Sequence, residues 1–176
     1  MDETGIKVLK IDGNASEKKC QMWICATGAK ASKKIAIYNF RTERKKSTAE
    51  AMLNNYHGIV QTDGYVAYGD GDYINAGCWS HCRRKFWDSI PPKNKKCKAA
   101  VAVRLIDKAM ELERVAREEN YDDERLMKMR REKVKPIIEE FYELVNSLSP
   151  SKGSHLYGAV TYALNQKKEL LVFLEH

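Results

Sequence analysis

The sequence predicts a mixed α/β fold with an appended helical subdomain, and three observations carry that prediction. Over the first ninety positions, apolar residues come in short, nearly alternating runs broken by glycines, the pattern of strands. Beyond Asn94 they recur every three or four positions between charges, the pattern of amphipathic helices. Pro91-Pro92 divides the two regimes. The expected domains are residues 1–92, an α/β core, and residues 93–176, an α-helical subdomain.

Each element follows from local pattern. Ile6 to Ile11 alternates as a strand, and Gly13-Asn14 marks a turn. Cys20 to Thr27 is apolar on both faces, as a central strand covered on both sides would be. Lys34 to Phe40 is a third strand, with Ile35 and Ile37 on one face and Tyr38 and Phe40 on the other. Ser47 stands three residues before Glu50, a capping-box spacing that predicts a helix from Thr48 to about Tyr56 with Ala49, Met52 and Leu53 toward a core. Gly58 closes it, and Ile59 to Thr62 is a short strand delivering Asp63. Gly64, Gly69 and Gly71 form a bend before a strand over Tyr73–Trp79, and a helix runs from Ser80 to about Ile90.

Ala99, Val103, Ile106, Met110, Leu112 and Val115 define the apolar stripe of a long helix ending near Glu119. Asp122 or Asp123 caps the next helix, which Pro136 should kink or restart. Ile137, Ile138, Phe141, Leu144, Val145 and Leu148 continue its apolar face. Ser154 caps a last helix carrying Leu156, Val160, Leu164, Leu171 and Leu174. The order of three antiparallel strands, helix, parallel strand, helix and strand is that of a ribonuclease H-like mixed sheet. In that topology the first and fourth strands are neighbours, so Asp2 and Asp63 would face each other.

Composition bounds the function. With 176 residues, 43% of them hydrophobic, the chain can bury a sizeable core. A net charge of +7 points to an acidic partner, nucleic acid above all, or to a merely basic soluble protein. No apolar run is long enough to span a membrane, and no basic-then-apolar leader precedes Asp2 and Glu3. Five cysteines, an odd number, suit reduced thiols in the cytoplasm rather than a disulfide framework.

Two residue groups bear on chemistry. Asp2 and Asp63 are short acids beside strands, the kind of hard oxygen ligand that phosphodiester chemistry with two divalent ions requires. Their plainer reading is a frayed terminal residue and a turn residue before Gly64. The second group is Cys78-Trp79-Ser80-His81-Cys82-Arg83-Arg84-Lys85-Phe86-Trp87. Arg83, Arg84 and Lys85 form either a phosphate-contact surface or a solvated helix face. Cys78, His81 and Cys82 could ligate zinc, although they lack the second ligand pair that a structural site needs.

Taken together and in order, several blocks are similar to the catalytic region of the insertion sequence 66 family of bacterial transposases. They are Asp2-Glu3-Thr4 with Ile6-Lys7-Val8-Leu9, Gly58 through Tyr65 with Tyr68, Ala76 through Phe86, Lys135-Pro136-Ile137, and the stretch from Tyr162 to Leu174. The resemblance spans nearly the whole chain. It implies a ribonuclease H-like core, a two-ion Mg²⁺ (or Mn²⁺) site of the Asp-Asp-Glu type, and a helical insertion before the last acid. Asp2 and Asp63 match the first two acids, and Cys78 and His81 match a Cys-x-x-His signature whose expected role is to position the site or its DNA. Ser80 and Cys82 stand where that signature usually has Ala.

The third acid of the family lies in an Asn-Asn-x-x-Glu-Arg block past the last helix, and neither Glu169 nor Glu175 matches it. The expectation is therefore a fragment of a DDE-type transposase whose parent cuts and joins DNA at insertion-element ends, with this chain inactive alone. The expected partners are the element ends and target DNA, with self-association open. The rivals are a DNA-binding remnant without chemistry, a helical self-association module, and a ribonuclease H-like nuclease acting outside transposition.

Overall fold

The architecture was taken from a computed structural model, which describes residues 1–11, 14–15, 19–28, 31–65, 68 and 71–176. The expected turn residues Gly13 and Gly69 lie outside these. Two compact units divide the chain, residues 1–76 and 77–176.

The first unit is built on an antiparallel sheet of β1 (Asp2–Lys7), β4 (Lys19–Ala26) and β5 (Ala36–Arg41), with β4 in the middle. Asp2 pairs with Ile24 and Glu3 with Trp23 across β1 and β4. The first strand thus begins at Asp2 rather than Ile6, because its pairing with β4 outweighs the weak strand preference of Asp2, Glu3 and Gly5. Cys20 and Trp23, three positions apart on β4 and so on opposite faces, are both fully buried, as a strand covered on both sides requires. On β5 the two apolar faces are present, but Ile37, Tyr38 and Phe40 are all exposed. The end of the expected first strand is a separate short element, β2 (Lys10–Ile11), which pairs with β3 (Asn14–Ala15), so Asn14 lies in a strand rather than in the expected turn.

α1 (Lys46–Met52) differs from its prediction at both ends. Lys45 occupies the N-cap with no side-chain cap, so Ser47 is not the capping residue and lies within the first turn. The helix stops at Met52, and Asn55, with φ of 59°, turns the chain three residues on. β6 (Ile59–Thr62) falls as expected and pairs in parallel with β7 (Ile74–Gly77). β1 and β6 belong to different hydrogen-bonded sheets, and the Met1 amino group donates to the Gln61 carbonyl (2.7 Å). Trp23, Ala49 and Tyr68 form this unit's small core, with Met1, Met52 and Tyr65 packed against it.

The second unit is helical: α2 (Trp79–Asp88), α3 (Lys98–Glu118), α4 (Asp123–Met129), α5 (Lys135–Asn146), α6 (His155–Asn165) and α7 (Lys167–Leu171). α3 packs on α2 and α5, and α2 also packs on α6. Asp122 caps α4 by accepting from the Arg125 N–H (2.7 Å), and Ser154 caps α6 by accepting from the Tyr157 N–H (3.1 Å). Pro136 sits in the first turn of α5, directly after a π-helical turn over Arg130–Val134, so the chain stays helical through it and the break in the regular ladder that a missing N–H causes coincides with the π turn. The last helix is not continuous as predicted. It breaks at Gln166 and ends in a 3-10 turn over Val172–Leu174; its buried face is Ala159, Val160 and Ala163, while Leu164 is exposed.

Two features lock this unit. A Cβ on Gly77 would lie 2.9 Å from the Leu170 backbone nitrogen, so only glycine allows α7 to approach so closely. Arg130 is buried and donates to both carboxylate oxygens of Glu113 (2.8 and 2.7 Å) and to the His176 carbonyl (2.7 Å). Arg130→Met is expected to cost about 3–5 kcal/mol, because it strands a largely buried carboxylate. Adding Glu113→Leu should recover most of that loss, and urea unfolding of the single and double variants measures both.

Candidate metal centre

Asp2 and Asp63 reach the same place from two different segments. Asp2 opens β1, and its Oδ1 accepts the Glu3 N–H (2.8 Å). Asp63 directly follows β6, where Thr62 is buried and donates its hydroxyl to Asn75 Oδ1 on β7 (2.9 Å). Gly64 then adopts φ of 80°, a left-handed turn that suits glycine, and lets the Tyr65 N–H return to Asp63 Oδ1 (2.9 Å). Each acid is thus oriented by a backbone N–H of its own segment. Carboxylate oxygens of Asp2 and Asp63 lie within 4.8 Å of one another.

A neighbouring network was not foreseen from sequence. The Glu3 side chain is 2% exposed, and a buried carboxylate needs partners. Arg44 donates from Nε to Glu3 Oε1 (2.6 Å) and pairs with it through Nη2, and the Tyr68 hydroxyl donates to Glu3 Oε2. The Arg44 guanidinium stacks on the Tyr65 ring (3.6 Å) and lies 3.8 Å from Asp63 Oδ2. Tyr68 meets Trp23 and Tyr65 edge to face. Burial, reinforced by the Glu3 bond and the nearby acids, raises the Tyr68 hydroxyl well above the usual phenol range, so it stays protonated and donates. The signal available in the sequence was Glu3 itself, an acid on the face of β1 that pairs with Trp23.

The remaining predicted residues lie on or beside α2. Cys78 is its N-cap, and its carbonyl accepts from the His81 N–H (3.1 Å). His81 stands in the first turn, half-buried, and its Nδ1 has no hydrogen-bond partner among the described residues. Cys82 is fully buried in the helical core, which pushes its thiol up to about 12. Among the described residues Cys78, His81 and Cys82 do not converge as a ligand set. Arg83 is bidentate to Asp107 (2.5 and 3.0 Å) and lies over Trp87, so it ties α2 to α3. Arg84 and Lys85 are exposed, and Lys85 sits 5.0 Å from the Tyr162 ring centre. Among the described residues no helix is long and apolar enough to cross a membrane.

The transposase IS66 family matches over residues 1–176. The uncharacterized protein y4qI of Sinorhizobium fredii (strain NBRC 101917 / NGR234) is 28% identical over 98% of this chain and 34% of its own length. The uncharacterized protein y4jD of the same organism is 27% identical over 99% of this chain and 36% of its own length. The chain therefore spans about a third of the length of these curated relatives. No solved structure matches it. With the family pattern running from the first residue to the last, the chain belongs to the IS66 family of transposases.

Proposed function

We propose that this chain is part of the catalytic region of a DDE-type DNA transposase with a ribonuclease H-like core, in which Asp2 and Asp63 hold divalent metal at the phosphodiester. The observation that carries this reading is the convergence of two acids from distant segments within 4.8 Å, in a chain of the IS66 family. The donor set fits Mg²⁺ or Mn²⁺, since both ligands are hard carboxylate oxygens. The local charge fits as well: Asp2, Glu3 and Asp63 outnumber the two nearby cations, Arg44 and the Met1 amino group, and an excess of negative charge suits a divalent cation. Such ions supply a nucleophile at neutral pH and stabilise the leaving oxygen. The chain's own contribution is to fix the two carboxylates before any ion arrives, through the Glu3 and Tyr65 N–H groups. DNA of the element ends and target is the proposed substrate, with exposed Arg84 and Lys85, and Arg83 where it is not engaged by Asp107, as phosphate contacts. Cys78 and His81 are proposed to position the site or its DNA.

Glu3 does not serve as the third acid, because both its oxygens are engaged by Arg44 and Tyr68. With two carboxylates a second ion is under-held, so the 176-residue chain by itself is expected to show little strand transfer. A nicking assay on element-end duplex with Mn²⁺ tests this. Robust cleavage that disappears in Asp63→Ala would overturn the inactivity, while salt-dependent DNA binding indifferent to Asp2→Ala and Asp63→Ala, with no Mn²⁺ binding, would favour a DNA-binding protein without chemistry.

A further inference from the structure

We propose that Arg44 contacts a phosphate of the bound DNA at the edge of the Asp2–Asp63 pair, held ready for it by Glu3 and Tyr65. This rests on the reading of the acid pair as a phosphodiester site. A DNA backbone approaching two carboxylates is repelled by them, and divalent ions offset that repulsion only where they sit. A fixed cation beside the pair extends the favourable field to the flanking phosphate oxygens. Arg44 is the side chain so placed: it reaches within 3.8 Å of Asp63 and is locked on Glu3, yet its side chain stays 41% exposed.

Its burial partners explain why it is ready rather than merely structural. Glu3 takes the Nε edge and one Nη2 contact, and Tyr65 covers one face of the guanidinium. The group is thereby held in one orientation before DNA binds, so little side-chain freedom remains to be lost on contact. Glu3 also has a second donor, the Tyr68 hydroxyl, so its carboxylate is not dependent on Arg44 alone. A planar fork stacked on an aromatic ring is suited to phosphate oxygens in a way that a lysine ammonium is not.

The test is titration of the 176-residue chain with a short labelled duplex in Ca²⁺, over about 50 to 200 mM salt, alongside Mn²⁺ binding and thermal melting. Arg44→Gln is expected to lower DNA affinity about tenfold and to reduce the slope of log affinity against log salt by about one unit. Mn²⁺ affinity should hold or rise, because a positive charge beside the acids has been removed. Glu3→Gln should weaken DNA binding but keep the slope, since the charge remains while its anchor is lost. Arg44→Lys should likewise restore the slope without the full affinity.

An unchanged slope in Arg44→Gln overturns the proposal, as does a joint fall in Mn²⁺ affinity and melting temperature, the mark of a purely structural residue. If the unaltered chain binds neither Mn²⁺ nor DNA, the acid pair is not a phosphodiester site, and Arg44 loses its role with it. If the unaltered chain binds both and the slope of Arg44→Gln stays put, only the Arg44 role falls.

Discussion

Asp63→Asn should abolish Mn²⁺ binding by this chain while leaving it folded. The amide keeps the size of the carboxylate and still offers an oxygen to the Tyr65 N–H, so the turn through Gly64 survives. The hydrogen bonds of Glu3 with Arg44 and Tyr68 do not involve Asp63, which meets Arg44 only at 3.8 Å, and the small core of Trp23, Ala49 and Tyr68 is untouched. What is lost is one of two charged ligands. The local excess of negative charge is removed, and a hard dication binds a neutral amide oxygen far less well than a carboxylate. Removing a group that only supports a metal ligand typically costs about 10–100-fold in affinity, so losing a ligand itself should cost at least about 100-fold. Calorimetric titration or the Mn²⁺ paramagnetic signal reads the affinity, and circular dichroism checks the fold. Asp2→Asn should behave the same way. Full-strength Mn²⁺ binding in either variant would mean that the carboxylates are neighbours without being ligands.

The second large effect is on stability. Trp79→Ala is expected to destabilise the chain by about 3–5 kcal/mol, the range for truncating a buried aromatic. Trp79 is 4% exposed and meets Phe141, Tyr142 and Phe173 edge to face, with ring centres 5.4 to 6.4 Å away. Its Nε1 donates to the Leu170 carbonyl (2.8 Å), the backbone that closes against Gly77. Truncation therefore opens a cavity among α2, α5 and the last turns, and it also removes the donor from a buried carbonyl. Trp79→Phe keeps part of the packing and loses the donor, so it should cost less than the alanine change. Denaturant unfolding followed by ellipticity at helical wavelengths measures both. A loss below about 1 kcal/mol in Trp79→Ala would show that the surrounding helices collapse into the space.

Much of the architecture is written locally. Asp122 and Ser154 were legible as caps because the groups they satisfy lie three residues away in the same chain. β6 was legible to the residue because Gly58 and Asp63-Gly64 bracket it. The errors fall where distant contacts decide. Ser47 has a capping-box spacing, yet the helix starts at Lys46, one residue before it. Leu164 follows helical periodicity, but the break at Gln166 turns the final segment, and Ala159 and Ala163 take the buried face. Arg83 read as one of three equivalent basic residues until Asp107, on another helix, was seen to engage it.

The candidate site divides in the same way. Sequence alone determined that Asp2 and Asp63 are acids beside strands, that a helix with a Cys-x-x-His start follows, and, through the order of these blocks, the IS66 family. Residue type and near-neighbour spacing suffice for all of that. Only the tertiary structure decided that the two acids come within 4.8 Å, and that Glu3 is buried and must recruit Arg44 and Tyr68, residues about forty and sixty-five positions away. The physical reason is that the energy of a charge depends on what surrounds it in space. A chain read one residue at a time does not show which distant partner will be there when that charge leaves water.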